Sequence, residues 1–283
     1  RKTGGVKFIL FKFFVGVGVL QSKIDRLLFR KTALFTKRVL ILDWLMLIIP
    51  WLLLTPVKAL GAVLVFKKIR MKLGNAFTGG VSGGGALPPA VDQFFWAVGV
   101  NIVEGYGLTE TAPVVSVRPM KKPVFGTVGS AIRGVEVKII GEKGEVLPPG
   151  KKGTVMVRGG IVMKGYYKKD DLTAKVLDKD GWLDTGDLGM LTVNGELVLR
   201  GRKKDTIVLR GENVEPLPIE MRLKESRFIS QCVVVGQDER YLSALIVPAQ
   251  DEVQNYAKEN GIPYSSYEEL LANADIVKMI DNE

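Results

Sequence analysis

Apolar positions follow two different textures along the chain, and the change comes at about residue 76. Before it, two long apolar runs, residues 6–20 (VKFILFKFFVGVGVL) and 39–66 (VLILDWLMLIIPWLLLTPVKALGAVLVF), read as helices. After it, short alternating runs predict strands at Val135–Ile140, Thr154–Arg158, Leu188–Val193 and Glu196–Arg200, with Asn194-Gly195 as the hairpin turn between the last two. A further strand-like run is Val100–Val103. A helix is expected over Lys169–Leu177, where Asp171 and Lys175 stand four apart. Beyond Arg202 the order becomes strand (Asp205–Leu209), helix (Leu217–Lys224), strand (Cys232–Val235), strand (Leu242–Val247) and two helices. A capping box, Ser265-x-x-Glu268, is expected to open the helix containing Tyr267–Ala272.

The apolar runs raise the question of a membrane. The longest uncharged run, Trp44 to Val57, holds Pro50 and Pro56, whereas a spanning helix needs about 20 apolar residues. The expectation is therefore helices lying at a bilayer surface rather than crossing it, with Trp44 and Trp51 at the headgroup boundary. A buried helical hairpin of a soluble domain is the competing reading. Charge supports the surface. Of the net +10, residues 1–72 carry 15 Lys/Arg against 2 Asp/Glu, while residues 73–283 carry 25 against 28. Basic flanks beside apolar runs match anionic lipid, and nucleic acid is not an expected partner.

Composition removes other classes. The 283 residues contain no histidine, which excludes His-dependent catalysis and His-ligated metal within this chain. The single cysteine, Cys232, excludes an internal disulfide and reads as a buried thiol in a reducing compartment. The chain starts at Arg1 rather than Met and stops within a helical pattern, so it is expected to be incomplete at both ends.

Several motifs offer chemistry. Gly80-Val-Ser82-Gly-Gly84 formally matches a hydrolase nucleophile elbow, yet no histidine follows Ser82 to serve as base. Nor do these glycines form a phosphate loop, since no Gly-Lys-Ser/Thr follows. They do permit close backbone approach by a flat ring or an acyl chain. In Glu104-Gly-Tyr-Gly-Leu-Thr-Glu-Thr111, expected as a loop after a strand, Tyr106 could stack on a purine and Gly107 could make a tight turn. Thr109 could bind a phosphate oxygen and Glu110 could hold Mg2+. A plain polar turn explains the octet equally well. Asp187, after the Thr-Gly turn of Trp182-Leu-Asp-Thr-Gly-Asp187, could accept from both hydroxyls of a ribose. Arg202, in Gly201-Arg-Lys-Lys-Asp205, could reach the same nucleotide.

Taken in order, SGGGALPP, GYGLTETAPV, PPGKKGTVMVRGGIVMKGYY, GWLDTGDLG, GRKKDTIVLRGENVEPLPIE and VVVGQDERYLSALIVP cover residues 79–248. The chain resembles the adenylate-forming superfamily, and within it the long-chain fatty acyl-CoA and acyl-[acyl-carrier-protein] synthetases. That resemblance implies an α/β fold with a β-rich subdomain and a small α+β C-terminal domain. Residues 1–75 would be a membrane-surface segment of the large domain, 76–201 its nucleotide-binding part, and 202–283 an incomplete mobile domain. It implies ATP and Mg2+ as cofactors, and coenzyme A or the phosphopantetheine of acyl carrier protein as acceptor of a long-chain acyl group. Gly84, Gly85 and Ala86 would line the adenine and acyl pocket, Tyr106 would pack on adenine, and Thr109 would contact the α-phosphate. Glu110 would bind Mg2+, Asp187 and Arg202 would hold the ribose, and Lys204 would lie at the hinge.

Against the family pattern, the upstream Ser/Thr/Gly-rich phosphate loop and the lysine near the C-terminus are absent from this chain, and Leu209-Arg210-Gly211 stands where Ser-Thr-Gly or Ser-Asn-Gly is common. The expected location is cytoplasmic with peripheral membrane association, or a plastid if the source is a plant. Two rival functions follow from the residues: a non-catalytic lipid-surface scaffold, and a serine hydrolase through Ser82.

Overall fold

The computed structural model describes residues 5–36, 41–74 and 76–283. The basic flank Lys37-Arg38 and the first residues of the second apolar run lie outside the described residues. The chain divides into two compact units, Arg1–Leu199 and Arg200–Glu283.

The first unit opens with α1 (Val6–Leu28) and α2 (Ile41–Gly61). A π-helical turn, Ala62–Phe66, joins α2 to α3 (Lys67–Lys72) without a break. Pro50 and Pro56 lie inside α2 and do not interrupt it. Each proline removes one backbone donor, and packing against α1 retains the rest. A Cβ on Gly61 would come within 2.7 Å of the Phe14 ring, so the two helices cross where Gly61 has no side chain. Gln21 Nε2 donates to Thr55 Oγ1 at 2.9 Å, a polar tie between the same helices. Trp44–Lys72 is thus one helix long and apolar enough, by length and composition, to cross a membrane. Most of its apolar side chains, including Met46, Ile49, Leu53 and Val63, are exposed, whereas Phe14 and Phe66 are buried with Val98 and Val100.

Next come β1 (Gly80–Ser82), α4 (Pro89–Ala97), β2 (Ile102–Tyr106) and β3 (Ser116–Val117). β1 pairs parallel with β2, Ser82 opposite Glu104, and β3 pairs antiparallel on the other side. β2 starts later and ends later than the sequence implied, so Glu104 to Tyr106 are strand and only the residues after them are loop. Val103 and Tyr106 are the buried positions of β2, and the strand-favouring aromatic Tyr106 extends the strand through the half-buried Glu104 and Gly105.

A four-stranded sheet follows in the order β4 (Val135–Ile140), β5 (Gly153–Gly159), β6 (Leu183–Leu191) and β7 (Leu197–Arg202), with α5 (Asp170–Val176) inserted before β6. Val155, Val157, Ile139 and Leu197 form its core with Val115, Val128 and Tyr106. β6 is longer than expected. The Thr-Gly pair before Asp187 does not end a strand but bulges out of one: Thr154 opposes Leu188 and Met156 opposes Asp184, leaving three residues of β6 opposite Val155. Gly186 takes φ 70° at the bulge, which glycine adopts without strain.

The second unit begins within β7. It contains the hairpin β8 (Ile207–Leu209) and β9 (Glu212–Val214), then α6 (Pro216–Leu223) and the hairpin β10 (Ile229–Val235) and β11 (Ser243–Pro248). Helices α7 (Gln250–Glu259), α8 (Tyr267–Ala272) and α9 (Ala274–Asp281) close it around Phe228, Val253, Ala257, Leu270 and Ile276. β9 was not foreseen, and the terminal helices number three rather than two. The cap of α8 sits one residue later than expected: Ser266 Oγ accepts from the Glu269 N–H, and Glu269 Oε2 accepts from the Ser265 N–H. Cys232 is buried, its Sγ 3.5 Å from the Glu220 carbonyl, and burial pushes its thiol pKa up.

Candidate functional site

Two loops leave the carboxyl ends of the parallel strands β1 and β2, the position at which open α/β sheets bind ligands. The first, Gly83 to Pro88, carries Gly84, Gly85 and Ala86, all exposed. A Cβ at Gly84 or Gly85 would meet nothing within 4 Å, so the backbone borders open space into which a flat group can come close. The end of this loop is anchored: the Leu87 N–H donates to Glu104 Oε1 at 3.1 Å.

Glu104 belongs to a buried charged network that sequence reasoning missed. The Arg118 guanidinium, fully buried, donates to both oxygens of Asp92 at 2.9 and 2.7 Å and to the Ile102 carbonyl at 3.0 Å. Glu104 Oε2 lies 3.5 Å from the same guanidinium. Burial holds the Glu104 carboxyl above its ordinary pKa, opposed by the Leu87 N–H and by Arg118. The network ties α4, β2 and β3 together directly beneath the two loops.

The second loop runs through Gly107 to a 3-10 turn, Thr109–Thr111. Gly107 is required there because any Cβ would run into the Pro113 carbonyl as the chain doubles back. Thr111, fully buried, accepts from the Leu108 N–H and donates to the Leu108 carbonyl, each at 3.0 Å, and so fixes the turn. Thr109 is exposed, with its hydroxyl available to a ligand, and Glu110 is half-buried.

Tyr106 and Asp187 are brought together. The Tyr106 hydroxyl donates to Asp187 Oδ2 at 2.6 Å, across 81 residues of sequence. The Tyr106 ring, 8% exposed, sits in the core of the sheet rather than standing free as an aromatic platform. Asp187 is held at the β6 bulge, where Thr185 Oγ1 accepts from its N–H and donates to the Val155 carbonyl.

Glu110 is held from a third segment, residues 163–166. Its backbone carbonyl accepts from the Met163 N–H at 2.8 Å, and its Oε1 accepts from the Tyr166 hydroxyl at 2.8 Å. That bond to a carboxylate raises the Tyr166 pKa above the ordinary phenol value. Among the described residues no group of three or more His, Cys, Asp or Glu stands ready as a metal cage. A cation here would therefore be held by Glu110 with phosphate oxygens and water, which is the usual manner for Mg2+.

Arg202 and Lys204 lie in the second unit, both exposed: Arg202 ends β7 and Lys204 lies in the short 3-10 turn Lys203–Asp205, close to the point where the chain divides. Ser82 is the last residue of β1 and α4 begins only at Pro89, so it does not occupy the strand-to-helix apex that a nucleophile elbow needs.

Residues 46–167 match the family described as AMP-binding enzyme, and residues 204–271 match the AMP-binding enzyme C-terminal domain. The chain belongs to the AMP-binding, adenylate-forming enzyme family. It is 47% identical over 255 residues to a probable chloroplastic acyl-activating enzyme of Arabidopsis thaliana, covering 86% of this chain and 35% of that protein. It is also 47% identical over 229 residues to a chloroplastic long-chain-fatty-acid–[acyl-carrier-protein] ligase of the same plant, covering 77% of this chain and 31% of the relative. A long-chain-fatty-acid–CoA ligase of Mycobacterium bovis is 34% identical, with 82% and 37% covered. The chain thus spans about a third of the length of these relatives. Among solved structures, the O-succinylbenzoate coenzyme A synthetase of Bacillus subtilis in complex with AMP aligns at a TM-score of 0.56 and 27% identity, covering 68% of this chain and 43% of that one. The family fold is therefore the adenylate-forming fold.

Proposed function

We propose that the protein carrying this chain activates a long-chain fatty acid as acyl-AMP and then passes the acyl group to a thiol, either coenzyme A or the phosphopantetheine of an acyl carrier protein. The observation that supports it most is the convergence of the glycine loop and the Thr109–Thr111 turn at the carboxyl ends of β1 and β2, with the bulge holding Asp187 tied to Tyr106. In the first step a carboxylate oxygen of the fatty acid bonds to the α-phosphorus of ATP and the bond to pyrophosphate breaks. In the second, the thiol sulfur bonds to the acyl carbon and AMP leaves with the bonding pair.

Within that reaction the exposed Thr109 hydroxyl donates to an α-phosphate oxygen, and Gly84, Gly85 and Ala86 border the adenine and acyl chain. Tyr106 fixes the Asp187 carboxylate for the ribose hydroxyls. A Mg2+ held by Glu110 would neutralise phosphate charge. Tyr106 acts on the nucleotide through Asp187, because its ring is buried and its hydroxyl is donated to that carboxylate. Lys204, beside the division between units, is the proposed pivot. Lys204→Pro should suppress thioester formation more than adenylation, and equal loss of both would remove the pivot role.

The deciding test is fatty-acid-dependent exchange of labelled pyrophosphate into ATP by the intact protein. Exchange that requires a long-chain acid and falls by orders of magnitude in Glu110→Ala and Asp187→Ala supports the proposal. No exchange with any carboxylate refutes it. Access of the substrate is a further part of the reading: the exposed apolar face of α2 and the basic residues around it fit peripheral attachment to anionic lipid. Sedimentation with anionic but not neutral vesicles tests that. Two plant relatives are chloroplastic by name, which favours a plastid.

A further inference from the structure

Tyr166 has no part in the chemistry described above, yet among the described residues it is the one side chain that grips the Glu110 carboxylate. Its hydroxyl donates to Glu110 Oε1 at 2.8 Å, while the neighbouring Tyr167 points to solvent and is 84% exposed. The contact is built rather than incidental, because the surrounding segment determines where Tyr166 stands. The Tyr166 N–H donates to Thr173 Oγ1 at 2.9 Å, and that hydroxyl in turn donates to the Lys169 carbonyl at 3.0 Å. Gly165, at φ 148°, passes so close to Thr173 that a Cβ would lie 3.0 Å from its methyl group. The Met163 N–H clamps the Glu110 carbonyl, so both ends of residue 110 are fixed by the same four-residue segment.

We infer that Tyr166 is a positioning residue: it fixes the rotamer of Glu110 through Oε1 and so presents Oε2 to a divalent cation carried on the nucleotide phosphates. The inference rests on the reading of Glu110 as the cation-holding carboxylate. A ligating carboxylate that is itself hydrogen-bonded is pre-oriented, and loss of such an outer partner commonly weakens metal binding about 10-fold or more. Thr173 acts one step further out, through the Tyr166 backbone.

The test uses the intact protein and reads binding rather than turnover: titration of Mn2+ followed by electron paramagnetic resonance, in the presence of a non-hydrolysable ATP analogue. Tyr166→Phe keeps the ring and removes only the hydroxyl. The expected result is an Mn2+ dissociation constant raised about 10-fold, with the affinity for the analogue in the absence of metal unchanged. Thr173→Val should shift Mn2+ binding in the same direction by a smaller factor. Glu110→Ala is the control that separates the two layers of argument. If Glu110→Ala leaves Mn2+ binding unchanged, the reading of Glu110 itself fails. If Glu110→Ala abolishes the tight site while Tyr166→Phe leaves the Mn2+ constant unchanged or tightens it, Tyr166 is at most a competitor for the carboxylate and the inference is overturned. Equal weakening of Mn2+ and of metal-free nucleotide in Tyr166→Phe would also overturn it, since that is the signature of a general loss of local structure.

Discussion

Removing Asp92 should cost the protein far more than a surface ion pair would. The Arg118 guanidinium has no solvent exposure, and the Asp92 side chain only 6%. Asp92→Ala deletes two charge-assisted bonds of 2.9 and 2.7 Å and leaves the cation with the Ile102 carbonyl and with Glu104 at 3.5 Å. Breaking one side of a buried pair costs about 3–5 kcal/mol, because the remaining charge is uncompensated, and the Glu104 carboxylate places this case near about 3 kcal/mol. The assay is urea unfolding of the first unit within the intact protein, followed by the fluorescence of Trp96, which packs edge-on against Phe125 at 5.2 Å next to Arg118. The partner variant sharpens the argument. Arg118 Nε is buried without a hydrogen-bond partner, so the network is not fully satisfied even in the native protein. Asp92→Ala combined with Arg118→Met should therefore lose less stability than Asp92→Ala alone. A loss below about 1 kcal/mol for Asp92→Ala, the range of exposed pairs, would refute the reasoning. So would a double variant worse than the sum of the two single ones.

Three other outcomes are expected. Gly107→Ala should cost at least about 3 kcal/mol or misplace the Thr109–Thr111 turn, since its Cβ has no room beside Pro113; thermal unfolding and nucleotide binding report the two effects. Arg210→Asn should stabilise the second unit by about 0.5–1 kcal/mol, because Arg210 (φ 50°) and Gly211 (φ 84°) form a two-residue hairpin turn in which both positions need positive φ; denaturant midpoints at constant slope would show it. Glu104→Gln should gain on the parent as pH rises from about 4 to about 7. A carboxyl whose folded pKa lies above its unfolded value makes the folded state hold more protons, so that stabilisation is present at low pH and is lost as pH rises through the folded pKa. Parallel melting curves across that range, with no pH-dependent gap, would count against it.

What the sequence made legible was local. The hairpin at Asn194-Gly195, the alternation of Val135–Ile140 and the strand of Thr154–Arg158 carry their signals within a few residues, and the structure places strands on each. The motif order was legible for the same reason, since each motif is a short run of residues that includes a glycine. The errors came where tertiary packing outweighs local preference. Two prolines argued against a spanning helix, but with α1 packed across Gly61 the helical run Ile41–Lys72 is continuous. Thr185-Gly186 predicted a turn, but β5 continues on both sides and converts it to a bulge. β9 is three residues long and charged at its start, with no alternation to announce it.

Unread altogether were the supports of the site, and the reason is physical. Tyr106 and Asp187 are 81 positions apart, Tyr166 and Glu110 56, Arg118 and Asp92 26. No periodicity links such pairs; they become neighbours only when β1, β2 and the four-stranded sheet are assembled. A side chain that touches a ligand needs only the right chemistry near a turn, and chemistry is written residue by residue. A side chain that orients it needs a distance, which one sequence does not contain. The consequence for the second unit is direct. Arg202 and Lys204 were singled out on residue chemistry and place in the chain. The thioester assay on Lys204→Pro therefore tests a reading that rests on position in the chain, whereas the Mn2+ titration on Tyr166→Phe tests one that rests on hydrogen bonds between named residues.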